Sequence, residues 1–273
     1  MPSIETSDHT LIHYEDWGDG PPIVFIAAWG VSSTMWQYQM ATIAGLGFRT
    51  VAYDRRGHGR SDRPGSGYDY DTLAADLAAL IDHLDLREVT LVSYSMGDGE
   101  AVRDLTRHGH DRVAKLVLAC PLGPLPPRTH DNPNGFDPAL VESVREGWKR
   151  DFTAWMDASQ DGFFGTGLPG CAVSPGIVEW TRRDMLDTSL WALIECNKTG
   201  TQTDRRRDMA AVRVPTLIVQ GDHDQSIPVE LSGRVCADLI EGSVLTIYEN
   251  APHGLYLTHR DRLTTDIVEF VKQ

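Results

Sequence analysis

The sequence has 273 residues, of which 41% are hydrophobic and 23% charged, and its formal net charge at pH 7 is -14. This composition is typical of a soluble globular protein, and the acidic balance argues against non-specific binding to nucleic acid or to anionic membranes. No stretch offers the roughly 18 uninterrupted apolar residues of a membrane-spanning helix, and the N-terminus lacks the features of a signal peptide. We therefore expect a cytoplasmic protein.

Six short apolar runs predict buried β-strands, at residues 22–28, 49–54, 88–95, 114–120, 215–222 and 243–250. Helical spacing of leucine and alanine between these runs, as at 71–84, predicts amphipathic helices. Such alternation is typical of an α/β protein with a mostly parallel sheet buried on both faces. The more strictly alternating segment 10–18 predicts an antiparallel edge strand.

The rhythm of strands and helices breaks between residues 122 and 213. This stretch begins with many proline and turn residues and then becomes helical, with several aromatic residues. We interpret 122–213 as a helical cap, or lid, inserted into an α/β core formed by 1–121 and 214–273. The candidate substrate-pocket residues here and beside the predicted nucleophile are Tyr94, Trp155, Phe163, Phe164 and Trp191.

Two other features predict ordinary structural roles. The cysteines are far apart and form no C-x-x-C motif, which predicts reduced thiols and no metal site: Cys120, Cys171, Cys196 and Cys236. The basic run 205–207 is flanked by Asp204 and Asp208, so we expect a solvated loop rather than a phosphate-binding patch.

The stretch "VSYSMGDG" (92–99) is the candidate for a nucleophile on a sharp turn. A strand ends near Tyr94 and a helix begins near Met96, so Ser95 lies at the junction, while Gly97 allows the helix to pass close to the strand. The usual pattern for this turn is G-x-S-x-G, and Ser93 stands where it has glycine. Taken alone, the stretch fits a nucleophile or a structural turn equally well.

A serine nucleophile needs a base, and the base needs a carboxylate that orients it. His253 follows the last predicted strand, whereas three other histidines have the polar surroundings of surface residues: His108, His110 and His259. Asp222 and Asp224 both follow the preceding strand, and we prefer Asp224 because it lies further out on the loop. The chain order Ser95, Asp224, His253 is that of α/β-hydrolases.

An acyl-transfer site also needs donors for the oxyanion of the tetrahedral intermediate. The backbone N–H of Met96, directly after Ser95, is one candidate, and the N–H of Trp29 in the loop after the first parallel strand is the other. A loop that only packs is the alternative interpretation of this second segment.

Six segments together carry a resemblance to a known subgroup: 35–40, 51–64, 68–86, 89–100, 214–228 and 251–255. On these residues the chain resembles the α/β-hydrolase subgroup of bacterial arylesterases and cofactor-free haloperoxidases, or perhydrolases. The resemblance implies the α/β-hydrolase fold with an eight-stranded sheet and a Ser95, Asp224, His253 triad. It also implies an oxyanion hole at Trp29 and Met96 and hydrolysis of small esters or lactones without a cofactor.

Three departures from the subgroup pattern are visible. Ala27 and Ala28 stand where members usually have histidine and glycine, which would strain the loop if the glycine position required a positive φ. Gly30 replaces a proline of members inclined to peracid formation, which favours plain hydrolysis. Ser93 and Asp98 replace glycines near Ser95, and we expect the charge of Asp98 to raise the basicity of His253.

The sequence thus predicts a serine hydrolase for a small ester or lactone, with a homo-oligomer as a possible assembly. Carbon-carbon bond hydrolysis or perhydrolysis is the alternative within the fold, because both can use the same triad. A non-catalytic ligand-binding protein is the alternative outside enzymology. A nicotinamide-dependent oxidoreductase is disfavoured because no G-x-G-x-x-G follows the first parallel strand.

Overall fold

All six predicted apolar runs form strands of one eight-stranded sheet in the computed structural model, which describes residues 1–109 and 111–273. The prediction for His110 lies outside the described residues. In chain order the strands are β1 (Ser3–Glu5), β2 (Leu11–Trp17), β3 (Pro22–Ile26), β4 (Arg49–Tyr53), β5 (Val89–Tyr94), β6 (Val113–Ala119), β7 (Thr216–Gly221) and β8 (Val244–Tyr248). Their spatial order is β1-β2-β4-β3-β5-β6-β7-β8.

The pairings from β4 through β8 are parallel, and β2 alone runs antiparallel to its two neighbours, β1 and β4. The predicted mostly parallel, eight-stranded α/β architecture is confirmed. The predicted position of segment 10–18 is wrong in one respect, since β2 lies inside the sheet between β1 and β4 and is not its edge. The edge is β1, which pairs Ile4 with Ile12 and is too short, at three residues, to give a sequence signal.

Helices connect the strands and complete the layers. They are α1 (Gln37–Gly45), α2 (Tyr70–His83), α3 (Gly97–Arg107), α4 (Pro138–Phe164), α5 (Pro175–Leu186), α6 (Leu190–Gln202), α7 (Arg206–Ala211), α8 (Gly233–Leu239), α9 (Leu255–Thr258) and α10 (Arg260–Lys272). Within the part of the chain that is described, no helix is both long and apolar enough to cross a bilayer.

Alternate residues of the buried strands face two separate hydrophobic clusters, as the two-residue period of a strand requires. Ile23 and Phe25 of β3 pack with α1 and α10 on one face, while Val24 and Ile26 pack with α2, α3 and α8 on the other. Helix α2 is capped at its N-terminus by Asp69, whose carboxylate accepts a hydrogen bond from the N–H of Thr72 at 3.0 Å. Both faces of the sheet are therefore covered.

The insertion between β6 and β7 is helical, as predicted. Helix α4 is kinked at Asp151, which has φ -159° and ψ 89° and whose carboxylate caps the second half by accepting from the N–H of Ala154. Helix α7 differs from the others, because Met209 and the following Val212 belong to the cluster beneath the sheet. The boundaries of the cap at 122 and 213 stay a prediction, and α7 packs with the core.

The contact of α3 with Tyr70 of α2 gives a test of the packing beneath the predicted nucleophile. A Cβ on Gly99 would lie 2.1 Å from Cζ of Tyr70, so Gly99→Ala is expected to reduce the free energy of unfolding by about 1–3 kcal/mol. Gly45→Ala, at a helical position with no other heavy atom within 4 Å of the new Cβ, is the matched control and is expected to be neutral or stabilising. Urea denaturation of the three proteins measures both effects, and equal behaviour of the two variants would contradict the close-packing account.

Candidate active site

Ser95 occupies a sharp turn between strand β5 and helix α3. Its φ of +52° is in the left-handed region, which costs a residue with a side chain about 1–3 kcal/mol. Hydrogen bonds of the turn hold this backbone, because the N–H of Ser95 donates to Ala119 O of β6 at 3.0 Å and its carbonyl accepts from Asp98 N at 3.0 Å. The hydroxyl is thereby presented above the carboxyl end of the sheet.

Gly97 permits this turn to lie against the neighbouring strand. A Cβ at this position would be 2.9 Å from Cγ2 of Ile26 and 3.0 Å from the carbonyl oxygen of Ala27. Ser93 stands at the position where glycine is usual. Its side chain is accommodated there, and its hydroxyl donates to Val117 O of β6 at 3.3 Å. The missing glycine of the sequence pattern therefore leaves the turn intact.

His253 lies between Ser95 and Asp224 in a buried hydrogen-bonded chain. Its Nε2 is 3.2 Å from Ser95 Oγ and its Nδ1 is 2.7 Å from Asp224 Oδ2. Asp224 follows β7 and His253 follows β8, and these adjacent parallel strands bring the two loops to the same edge. Asp222, the alternative carboxylate, is directed instead to Nδ1 of its neighbour His223 at 2.8 Å.

The partners of His253 determine where its proton lies. A carboxylate only accepts hydrogen bonds, so Nδ1 carries the proton that is donated to Asp224 and Nε2 is the free acceptor for the serine hydroxyl. Asp224 is itself held, since its other oxygen accepts from the N–H groups of Ser226 at 3.0 Å and Ile227 at 2.8 Å. The arrangement is suited to removing a proton from Ser95.

The two N–H groups predicted to bind an oxyanion lie on neighbouring loops. Strands β3 and β5 are adjacent and pair Ile26 with Ser93, so the loop that contains Trp29 follows β3 beside the turn that contains Met96. Across the described residues, neither of these two N–H groups donates to a protein acceptor. Met96 also precedes the first residue of α3, where unpaired N–H groups favour negative charge.

The Ala27-Ala28 replacement does not strain this loop. Ala28 has no positive φ, and its N–H donates to Sδ of Met35 at 3.2 Å. Gly30 does have a positive φ, of +79°. Proline fixes φ near -65°, so a chain with proline at this position must have a different backbone conformation there.

Arg55, which the sequence did not indicate as a site residue, anchors the loop after β3. Its guanidinium donates to the carbonyl oxygens of Ala27 at 2.6 Å and Ala28 at 3.1 Å. It also forms a buried ion pair with Glu100 of α3, in which Nε and Oε1 are 2.6 Å apart. Burial opposes the charge of Arg55, but the Glu100 carboxylate keeps its pKa above the usual value. The loop after β3 is thus tied to the helix that follows Ser95.

The cap reaches the same loop from above. The indole Nε1 of Trp29 donates to Leu193 O of α6 at 2.8 Å, and its ring stacks on Trp148 of α4 with centroids 4.8 Å apart. Asp184 of α5 accepts from the N–H of Ser32 at 3.1 Å and from its hydroxyl. Three cap helices therefore hold the loop that carries the predicted oxyanion donor.

The carboxylate of Asp98 has partners other than His253, so no direct contact supports the predicted effect on that histidine. This carboxylate accepts from Gly123 N at 3.2 Å and faces the guanidinium of Arg205 at 3.6 Å. Burial raises the pKa of Asp98 to about 6, against the opposing effect of Arg205. The prediction of a solvated basic loop is also wrong for Arg205, which is fully buried and donates to the Tyr70 hydroxyl at 2.9 Å.

A cavity of about 360 Å³ extends from Ser95 and His253 beneath the cap. Of the predicted site residues, its lining includes Tyr94, Trp155, Phe163, Trp29 and Met96. Further apolar lining that the sequence analysis did not identify comes from Phe136, Leu140, Val144, Trp148, Met185 and Tyr256. The predominantly apolar walls suit an uncharged organic substrate.

Two of the predicted pocket residues, Phe164 and Trp191, do not line the cavity, so this part of the prediction is wrong. Phe164 packs into the hydrophobic cluster of the core, because it lies on a different side of α4 from Phe163, whose ring is 5.8 Å from that of His253. Trp191 is 53% exposed, and its Nε1 donates to Gly65 O at 3.1 Å. Aromatic content alone did not indicate which side of each cap helix faces the cavity.

Cys120 is the third potential metal ligand beside Asp224 and His253, and the ligand atoms of the three lie within 4.8 Å of one another. Burial, together with the nearby Asp224 charge, raises the pKa of the Cys120 thiol. A protonated thiol is not the form that ligates metals, and Asp224 and His253 already bond to each other. This donor set fits the hydrogen-bonded chain better than a metal site.

Comparison with known proteins extends the resemblance over the whole chain. Residues 21–260 match the family described as alpha/beta hydrolase fold. The chain is 38% identical over 274 residues to a non-heme haloperoxidase of Rhodococcus erythropolis and 34% identical over 276 residues to a bifunctional esterase/perhydrolase of Acinetobacter calcoaceticus, with 100% of each chain covered. It resembles the solved structure of an esterase from Exiguobacterium antarcticum with a TM-score of 0.94, 32% identity and 99% of both chains covered.

The burial of Asp184 predicts a pH-dependent contribution to stability. Burial raises the pKa of Asp184 from 3.8 to about 6, so the folded protein holds this proton more tightly than the unfolded chain. Its contribution is therefore fully present below pH 4 and is lost as the pH rises through 6. Relative to Asp184→Asn, the free energy of unfolding of the wild type should fall by roughly 1–3 kcal/mol between pH 4 and pH 7.5.

Urea denaturation at several pH values measures this difference, and Asp187→Asn in the exposed turn that follows is the matched control. A difference between wild type and Asp184→Asn that is independent of pH would rule out the titration of Asp184 as its cause.

Proposed function

The chain belongs to the alpha/beta hydrolase fold family, and we propose that it is a serine hydrolase that cleaves a small carboxylic ester or lactone through an acyl-enzyme on Ser95. The observation that carries this proposal is the buried chain from Ser95 Oγ through His253 to Asp224, with contacts of 3.2 and 2.7 Å. The cavity at Ser95 and the unpaired N–H groups beside it support the same assignment.

In the proposed reaction, His253 Nε2 takes the hydroxyl proton of Ser95 as Oγ attacks the substrate carbonyl carbon. The resulting oxyanion accepts hydrogen bonds from the N–H groups of Trp29 and Met96, while Asp224 stabilises the imidazolium. His253 then gives its proton to the departing alkoxide, which leaves the acyl group on Ser95. Water attacks this ester with His253 again as base, which releases the acid and restores the serine.

Perhydrolysis is the second candidate, because one relative of 34% identity is described as a bifunctional esterase/perhydrolase. In this variant hydrogen peroxide replaces water in the attack on the acyl-enzyme, and the product is a peracid. Gly30 favours water, since the subgroup members inclined to peracid formation have proline there and the φ of +79° excludes proline in this loop conformation. Carbon-carbon bond hydrolysis by the same three residues remains a less supported alternative.

Ser95→Ala is expected to lower kcat/KM for p-nitrophenyl acetate at least 1,000-fold, because it removes the hydroxyl that lies beside His253 Nε2. Ser93→Ala is the matched control, since this second serine of the same stretch bonds only to Val117 O. Release of p-nitrophenol with and without peroxide measures the reaction. Activity of Ser95→Ala within tenfold of the wild type would refute the proposal.

A fluorophosphonate probe separates the enzymatic proposal from a non-catalytic binding protein. We expect covalent labelling of the wild type at Ser95 and none of Ser95→Ala, as detected by mass spectrometry of the peptides.

Arg55→Lys tests whether the buried guanidinium positions the oxyanion loop. A lysine retains the charge beside Glu100 but cannot bond both carbonyl oxygens in the same planar geometry, so we expect kcat to fall about 10- to 100-fold with little change in KM. Arg56→Lys is the matched control, because Arg56 is equally buried but does not bond to this loop. Its Nε pairs with Asp76 Oδ2 at 2.7 Å. Equal losses of kcat in the two variants would show a general cost of burying lysine instead.

A further inference from the structure

The cap wall of the cavity contains a polar group that the proposed chemistry does not use. Cys196, Asn197, Gly200 and Thr201 line the cavity from one side of α6, at the spacing of successive helical turns. Most of the other lining residues are apolar. A half-buried amide in such a wall requires a hydrogen-bond partner for the part of it that faces the cavity.

Arg145 of α4 fixes the orientation of the Asn197 amide. This arginine is 2% exposed, and its Nη1 lies 2.8 Å from Oδ1 of Asn197. A guanidinium only donates, so the side-chain atom of Asn197 that faces it must be the oxygen and not the nitrogen. The other guanidinium nitrogens donate to Glu142 Oε2, which holds Arg145 in place.

Fixing the oxygen leaves the NH₂ end of Asn197 available. Within residues 1–109 and 111–273, no protein atom accepts a hydrogen bond from Nδ2 of Asn197. The hydroxyl of Thr201 does not compete for this role, because it donates to the carbonyl oxygen of Asn197 at 2.7 Å. The cavity wall thus presents one oriented donor.

The position of this donor relative to the reacting atoms follows from Gly200. A Cβ on Gly200 would lie 3.6 Å from Cγ of Met96, the residue directly after Ser95. Asn197 precedes Gly200 by three residues, which is about 4.5 Å along the helix axis. Asn197 therefore lies about one helical turn from the residue of α6 that packs against Met96.

We infer that Asn197, oriented by Arg145, is a specificity-determining residue that donates a hydrogen bond to an oxygen in the non-reacting part of the substrate. This inference rests on the proposed ester hydrolysis at Ser95. It identifies the substrate class as esters or lactones with a second oxygen acceptor, such as a ketone or a further carbonyl, on an otherwise apolar chain. A substrate without that oxygen leaves the Asn197 N–H groups unpaired in the cavity, which lowers its relative rate.

Asn197→Asp is the informative variant, because a carboxylate still accepts from Arg145 but presents an acceptor where the NH₂ donor was. The test uses two pairs of substrates that differ by one carbonyl group. The acyl pair is p-nitrophenyl hexanoate and p-nitrophenyl 5-oxohexanoate, and the alcohol pair is hexyl acetate and 5-oxohexyl acetate. The ratio of kcat/KM for the keto substrate to that for its parent cancels any loss of active enzyme.

We expect this ratio to fall at least tenfold in Asn197→Asp, relative to the wild type, for one of the two pairs. Asn197→Leu, which removes the donor without adding a charge, should lower it in the same pair. Glu142→Gln is the control, since Glu142 contacts Arg145 but does not line the cavity, and its ratio should match the wild type.

Ratios that are the same in wild type and Asn197→Asp for both pairs, in an enzyme that hydrolyses both parents, would overturn the role of Asn197 and leave the Ser95 chemistry standing. Failure of the wild type to hydrolyse any of the four esters would overturn the proposed function and, with it, the inference.

Discussion

The buried pairing of Arg55 with Glu100 is the interaction on which the geometry of the site depends. An arginine in the interior is tolerated only when its donors are satisfied, and here a carboxylate of α3 and two carbonyl oxygens of the loop after β3 satisfy them. Glu100 also accepts from the hydroxyl of Tyr53 at 2.6 Å. A displacement of either the loop or the helix would leave a charged group unpaired, so the ion pair opposes movement of one relative to the other. The N–H groups of Trp29 and Met96 lie on these two elements.

The parts of the structure that the sequence predicted well are those set by local patterns. The apolar runs of β3, β4, β5 and β7 are almost entirely buried, and the order of Ser95, Asp224 and His253 follows from where each strand ends. The parts that it missed depend on partners distant in the chain. Arg55 and Glu100 are 45 positions apart, and no spacing rule connects them.

Arg205 shows how a local reading can mislead. Its neighbours Asp204 and Asp208 gave it the appearance of a surface residue, but its guanidinium bonds to the carbonyl of Gly123, which is 82 positions away, and lies over the ring of Tyr70 with its Cζ 5.0 Å from the ring centroid. The prediction of which aromatic residues of the cap line the cavity was partly wrong for the same reason. Trp148 stacks on Trp29, whereas Trp191 is half exposed, and only the packing of the helices against the core decides between these positions.

The attachment of the cap to the loop after β3 has a consequence for how such a protein can be altered. Leu193 accepts from the indole of Trp29, Thr188 donates to the carbonyl of Gly30 at 3.0 Å, and Asp184 accepts from Ser32. A cap grafted from a homologue would replace the walls of the cavity and, at the same time, the anchors of the loop after β3. A chimera that keeps this loop in position must therefore carry the matching loop along with the transplanted helices.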